Sequence, residues 1–215
     1  MTATATVTAT AETAQTVGAR TGGDAPERRH AVVTTALGDL TVVAEGPELV
    51  GVYFPEHRPE PDRARFGREV EQADDGVLAA AAEQLADYAA GRRTSFELPL
   101  RPDGSERARQ VWGLVAAVPR GETTSYAALG RAVGVGPRAA GQFVARNPLC
   151  VLVPCHRVVA SDGRLTGYAG GVDRKRQLLE LEGALDVGAA TVTPTPVTPT
   201  PVTPTSVPPA TEVDA

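Results

Sequence analysis

The stretch "TTSYAALGRAVGVGPRAAGQFVARNPLCVLVPCHRVVA", residues 123–160, decides how this chain folds. Thr124 or Ser125 can cap a helix that begins at Tyr126 and runs to about Val133. Gly134-Val135-Gly136 is turn chemistry. Pro137 suits the first position of a second helix, Arg138–Arg146, which Asn147-Pro148 ends. On that helix Ala140, Phe143 and Val144 share one face, while Arg138, Gln142 and Arg146 point the other way. Short helix, glycine turn and second helix with outward arginines make a helix-turn-helix pattern. The plain alternative is an ordinary helical hairpin.

The same stretch then predicts a buried strand, Leu149–Val153. Pro154 ends it because proline cannot donate to a ladder. That places Cys155 at the rim of a sheet, followed by His156 and Arg157, both of which favour a thiolate. Neighbours on a strand point apart, so His156 need not touch the sulfur directly. Three roles stay open for Cys155 on local chemistry: nucleophile, metal ligand or inert thiol. Cys150, inside the apolar run, is expected to be packing. On an extended run the two cysteines face opposite sides, which argues against a disulfide. Glu182 sits where a helix dipole disfavours a carboxylate, so it either orients the imidazole or is a solvated surface group.

Outward from this stretch, residues 30–54 alternate as strands broken at Gly38-Asp39 and Gly46-Pro47. Residues 55–75 are expected to be loop, residues 76–90 helix, and "TSFELPL" (94–100) one more strand. Residues 107–119 form a helix stopped by Pro119. After the loop "TGYAGG" (166–171), residues 172–183 form a last helix ending at Gly183, a sound C′ residue. The expected organisation is a tail over 1–29, an α/β domain over 30–100, a mainly helical domain over 101–185 and a disordered tail over 186–215. That last tail carries the repeat "VTPTP".

The net charge of −5 argues against nucleic acid, but its distribution does not. Residues 1–100 carry 9 Arg against 16 acids, whereas residues 101–176 carry 12 basic residues against 5 acids. A phosphate-binding half has this asymmetry; so does a chain that simply prefers arginine. No apolar run approaches the roughly 18–20 residues of a membrane span. The opening residues lack the basic start and apolar core of a secretory signal, so a cytoplasmic protein is expected. The spacings of Cys and His match no zinc pattern.

Taken together, "VPCHRVV", "YAALGRAVGVGPRAAGQFVARNP" upstream and "GYAGGVDRKRQLLELEG" downstream closely resemble the methylated-DNA–protein-cysteine methyltransferases, the O6-alkylguanine-DNA alkyltransferases. The likeness is specific over 107–183 and weaker over 30–100, where that family carries a ribonuclease-H-like domain. It implies an α/β protein: a small ribonuclease-H-like domain, then a helical domain holding the helix-turn-helix and the active-site cysteine. It also implies a suicide transferase that flips out O6-alkylguanine in double-stranded DNA and moves the alkyl group to Cys155, with O4-alkylthymine an open second substrate. A non-enzymatic lesion-binding protein is the alternative. His156 would take the thiol proton through water, with Glu182 orienting it and Asn147 bracketing the site. Arg138 would enter the base stack, with Ala139, Gly141 and Gln142 beside it on the DNA. Tyr126 would press on the neighbouring phosphate and help protonate the leaving guanine. Tyr168 would wall the base pocket, and the backbones of Val158 and Ala169 would meet the base edge. The expected protein is a monomer with no cofactor and no membrane partner. Two features depart from the family pattern: the Tyr126–Arg138 segment is about two residues shorter, and the N-terminal half shows no zinc cluster of the kind some relatives carry, so no metal is expected; the repeat tail is also outside the family pattern.

Overall fold

The computed structural model describes residues 27–195. The predicted tail over 1–26 and most of the repeat lie outside them. Three strands, β1 (Arg28–Thr35), β2 (Gly38–Glu45) and β3 (Glu48–Tyr53), form an antiparallel meander. The turns at Gly38 and Gly46 both need positive φ, +99° and +57°, which glycine adopts without strain. A short strand, β4 (Arg68–Glu69), pairs in parallel with β1, giving the order β3-β2-β1-β4. β4 and two one-turn 3-10 helices lie inside 55–75, where the sequence predicted only loop. Helix α1 (Gly76–Ala89) is capped by Asp75, whose carboxylate accepts from the amides of Val77 and Leu78. Its buried face, Leu78, Ala81, Leu85 and Tyr88, packs on β1 and β2.

The second half holds α2 (Glu106–Ala116), α3 (Tyr126–Ala132), α4 (Pro137–Ala145) and α5 (Val172–Glu182), with a two-stranded parallel ladder of β5 (Thr124–Ser125) and β6 (Val158–Val159). Ser125 Oγ caps α3 by accepting from Ala128 N, and Pro137 starts α4, as the sequence predicted. The α3–α4 turn is tight. A Cβ on Gly130 would meet Val135 O at 2.6 Å, and Gly134 sits at φ +69°. Gly183 closes α5 in the left-handed conformation.

Three expectations need correction. Residues 94–100 do not form a strand; only Leu100 makes an isolated bridge, to Leu49. The Gln84 side-chain amide binds both backbone groups of Glu97, and Pro99 has no N–H to offer a ladder. Residues 149–153 are likewise a turn and not a strand. Val151 takes φ +73°, and Val153 N reaches back to Leu149 O at 2.8 Å. The predicted tails are also too long. β1 starts at Arg28, and Val192 N and Thr195 N donate to Gly163 O and Thr123 O.

Both mispredicted segments do the same work. β3 is the edge of the sheet, and its amides and carbonyls at Leu49 and Val52 are taken by Pro99, Arg101, Pro148 and Cys150. The second half is thus stitched to the first through the segment that leads into Cys155. One hydrophobic cluster runs through both halves. Among the described residues no helix is long and apolar enough to cross a membrane.

Candidate active site

Pro154, with ψ of 61°, turns the chain into a single 3-10 turn, Cys155–Arg157. The sequence expected a strand end here; the helical turn fans the three side chains in different directions. Cys155 faces a cavity of about 670 Å³ lined by Tyr126, Arg138, Gly141, Tyr168 and Ala169. His156 and Arg157 turn inward and are buried.

The sulfur is held by Asn147. Its Nδ2 donates to Cys155 Sγ at 3.2 Å and to Val153 O at 2.9 Å, while its Oδ1 accepts from Leu149 N at 3.0 Å. One side-chain amide therefore fixes the turn and supplies a proton donor to the thiol. The influence of the Cys150 thiol and then the hydrogen bond from Asn147 push the Cys155 pKa down, against the effect of burial. The extended run on which the two cysteines were expected to face apart is replaced by the turn at Val151. Both are free thiols.

Behind the sulfur, Arg157 forks onto Glu182 through Nε at 2.8 Å and Nη2 at 2.6 Å. Tyr88 Oη also donates to Glu182, and Arg157 Nη1 binds Val118 O. His156 Nε2 lies 3.2 Å from Glu182 Oε1, without good hydrogen-bond geometry at either ring nitrogen. Burial opposes ionisation of Glu182, but the two hydrogen bonds from Arg157, with the nearby His156 ring, outweigh it. The carboxyl is held well below the usual carboxylate range. Burial lowers the His156 pKa against the pull of Glu182, so the imidazole is neutral. Glu182 is therefore not a solvated surface group. Its first partner is Arg157, and that ion pair offsets its unfavourable place at a helix C-terminus.

The cavity's far wall is the 166–169 loop. Tyr126 Oη donates to Thr166 O and Gly167 O, both at 3.1 Å, and burial pushes its hydroxyl up to about 12. Lys175 is fully buried and places its three ammonium protons on Val158 O at 2.5 Å, Thr166 O at 2.7 Å and Gly167 O at 3.2 Å. Val158 does not line the cavity: its N–H donates to Cys155 O and its carbonyl is bound by Lys175. Ala169 and Tyr168 do line it. Arg138 and Gln142 are exposed on α4, Ala139 is half-buried, and Gly141 faces the Tyr126 ring.

The sequence reading missed Lys175, Tyr88 and Arg58. Lys175 carried a signal, since it is the single lysine among 20 arginines. Arg58 comes from the first half, lines the cavity mouth and donates its amide to Ala169 O at 2.8 Å. Among the described residues no three His, Cys, Asp or Glu side chains converge as a metal cluster.

Both halves of the chain match known proteins. Residues 106–184 match the family model of the 6-O-methylguanine DNA methyltransferase DNA-binding domain, and residues 29–102 match that family's ribonuclease-like domain. The methylated-DNA–protein-cysteine methyltransferase of Mycobacterium tuberculosis is 36% identical over 155 residues, covering 71% of this chain and 91% of the relative. That of Metallosphaera sedula is 35% identical over 158 residues, 73% and 94%. The crystal structure of Mycobacterium tuberculosis OGT in complex with DNA superposes with a TM-score of 0.65 at 34% identity, over 73% of this chain and 93% of that one.

Proposed function

The chain belongs to the 6-O-methylguanine DNA methyltransferase family, and from that premise we propose how this molecule repairs alkylated DNA: Cys155 accepts the alkyl group of an O6-alkylguanine flipped into the cavity. The observation that carries this reading is Cys155 Sγ facing the cavity while Asn147 donates to it from behind. The Cys155 thiolate attacks the alkyl carbon, a C–S bond forms and the C–O bond breaks, and the electron pair leaves on guanine O6. The product is a thioether with no good leaving group, so each molecule acts once, and the reaction needs no cofactor.

Neutral His156 receives the thiol proton through a water, and Glu182 steadies the resulting imidazolium. Glu182 is poised for this because Arg157 already holds it ionised. Tyr126 holds the loop through the carbonyls of Thr166 and Gly167; it protonates the leaving guanine by rotating its O–H away from them. The target atom is shielded inside a duplex, so the base must leave the stack, which costs a few kcal/mol. Arg138, exposed on α4 beside Gly141, fills the gap, and Ala139 and Gln142 meet the flanking groove. Tyr168 and the Ala169 backbone hold the base; Val158 supports them through Lys175. In this reading the protein works as a cytoplasmic monomer on double-stranded DNA.

The test is a mass measurement. Duplex DNA carrying O6-methylguanine should add one methyl group to the tryptic peptide Asn147–Arg157, and Cys155→Ala should add none. Methylation that persists in Cys155→Ala, or lesions removed in excess of protein, would sink the reading. Tight binding with no loss of the lesion would favour the lesion-binding alternative.

A further inference from the structure

Tyr88 lies on α1, in the first half of the chain, yet its hydroxyl ends on the carboxylate behind the active-site turn. Tyr88 Oη donates to Glu182 Oε1 at 2.5 Å. Arg157 Nη2 donates to the same oxygen at 2.6 Å, and Arg157 Nε takes Oε2 at 2.8 Å. His156 Nε2 lies 3.2 Å from Oε1 but makes no well-aligned hydrogen bond to it. A carboxylate oxygen offers about two lone pairs. On Oε1 both are taken, by Tyr88 and Arg157, and the imidazole comes third.

The two occupants of Oε1 are not held alike. Arg157 grips Glu182 with two parallel bonds and is anchored again through Nη1 on Val118 O. Tyr88 makes a single bond, through a hydroxyl that can rotate. Burial raises the Tyr88 pKa and the neighbouring Glu182 charge raises it further, so the hydroxyl stays protonated and remains a donor. Tyr88 is therefore the occupant that can yield.

We propose that Tyr88 is a positioning residue for proton transfer: it occupies the Glu182 oxygen that His156 needs, keeps the resting imidazole a weak base, and gives the oxygen up when His156 takes the thiol proton. This rests on the alkyl-transfer reading, in which His156 is the proton acceptor. Because Nε2 faces a carboxylate, the ring proton is assigned to Nε2, and Nδ1 is left to accept. The proton leaves Cys155 Sγ through a water and arrives on Nδ1; the S–H bond breaks and an N–H bond forms. The imidazolium Nε2–H then binds Oε1 as a charged donor, stronger than a neutral hydroxyl, and the Tyr88 O–H turns aside. The thiolate, not the thiol, is the nucleophile, so this restraint shields a single-use acceptor from stray electrophiles.

Other charges face the same ring. Arg157 from its own turn and Lys175 from α5 oppose its protonation, and Glu182 favours it. The Tyr168 ring stands edge-on to His156 at 6.4 Å, and the Arg120 guanidinium lies 5.8 Å from the centre of the Tyr88 ring. Tyr88→Phe leaves all of these in place and removes only the hydroxyl.

The test titrates full-length protein, wild type and Tyr88→Phe, with two readouts. Carbon-labelled histidine gives NMR signals for His30, His57 and His156, the last assigned with His156→Gln. Iodoacetamide capture, located at Cys155 by mass, reads the thiolate. In Tyr88→Phe the His156 midpoint should rise by about one unit, the scale of one charged hydrogen bond. Capture at neutral pH should quicken by up to about tenfold. A purely structural Tyr88 would lower stability and raise neither. A His156 midpoint that stays or falls in Tyr88→Phe with wild-type circular dichroism overturns the proposal. Should the variant fail to fold, the wild type decides: nitrogen-labelled histidine should show His156 neutral at pH 7, without a strongly hydrogen-bonded, low-field Nε2 proton. Such a proton in the wild type also overturns the proposal. A wild type that transfers no methyl group overturns the alkyl-transfer reading itself, a result that the titration does not imitate.

Discussion

Asn147 Nδ2 sits 3.2 Å from Cys155 Sγ, and the same amide pins the Leu149–Val153 turn at both ends. Nucleophile tuning and chain direction therefore depend on one side chain. A hydrogen bond to a charged group contributes about 1.5–3 kcal/mol. Asn147→Ala should slow single-turnover methyl transfer at neutral pH by roughly tenfold to a hundredfold, on that scale. Because the deficit lies in thiolate formation, the rate should recover as pH rises. A rate that stays low and flat across pH would assign Asn147 a purely structural role.

Glu182 receives the Arg157 fork and the Tyr88 hydroxyl, with no part of its side chain exposed. Glu182→Gln keeps the shape but leaves a buried guanidinium without its counter-charge. Breaking one side of such a pair costs about 3–5 kcal/mol. Tyr88→Phe removes only one charged hydrogen bond, about 1.5–3 kcal/mol. Urea unfolding should rank the variants in that order. Equal losses would mean that the pair is not the anchor of the site.

Lys175 meets three carbonyls with three protons, a match that a planar guanidinium cannot make. Lys175→Arg should therefore be nearly as damaging as Lys175→Met, even in a chain otherwise built with arginine. Both should lower stability by about 2 kcal/mol or more, as buried acceptors lose their partner. Both should also speed proteolysis within 164–168. A wild-type-like Lys175→Arg would refute this account.

How much of this was legible in the sequence follows the range of the forces. α3, its Ser125 cap, the Gly134 turn and the Pro137 start are set by neighbours in sequence, and they were readable. The Leu149–Val153 turn was not. Its apolar, β-branched residues read as a strand, and only the Asn147 amide and the pairing to Val52 make a turn there. The error spread, since a strand end put Cys155 at a sheet rim, whereas it opens a helical turn beside Asn147. Glu182 was singled out for standing at the wrong end of a helix dipole, and that signal led to a buried network. Its main partner, Arg157, and the reach of Tyr88 across 94 positions come from packing alone.

Arg138 is exposed on α4 at the mouth of the cavity and forms no ion pair among the described residues. Its work is with the duplex and not with the alkyl group. Arg138→Ala should cut transfer from methylated duplex DNA at least tenfold, for a loss of about 1.4 kcal/mol or more. Transfer from the free base O6-benzylguanine should hardly change. Equal losses on both substrates would place Arg138 in the chemistry of the pocket.

The titration of buried groups sets how this fold responds to acid. His57 is pushed from an ordinary 6.5 to about 4 by burial, and His156 is lowered the same way. A histidine with a depressed native pKa stays neutral while the unfolded chain takes up a proton. Its contribution is thus fully present above pH 6.5 and is lost as pH falls toward 4. For His57 that loss is about 3 kcal/mol at 1.36 kcal/mol per unit. Glu182, also depressed, adds a second decline that starts only below its ordinary value of 4.5. Urea-unfolding free energy should therefore be level between about pH 6.5 and 8, above which Lys175 begins to titrate, fall between 6.5 and 4, and fall again below 4.5. His57→Gln should make the first decline shallower, leaving the part due to His156, and leave the second. A wild-type curve that is level from pH 7 to 4.5 would contradict the burial of both histidines as neutral groups.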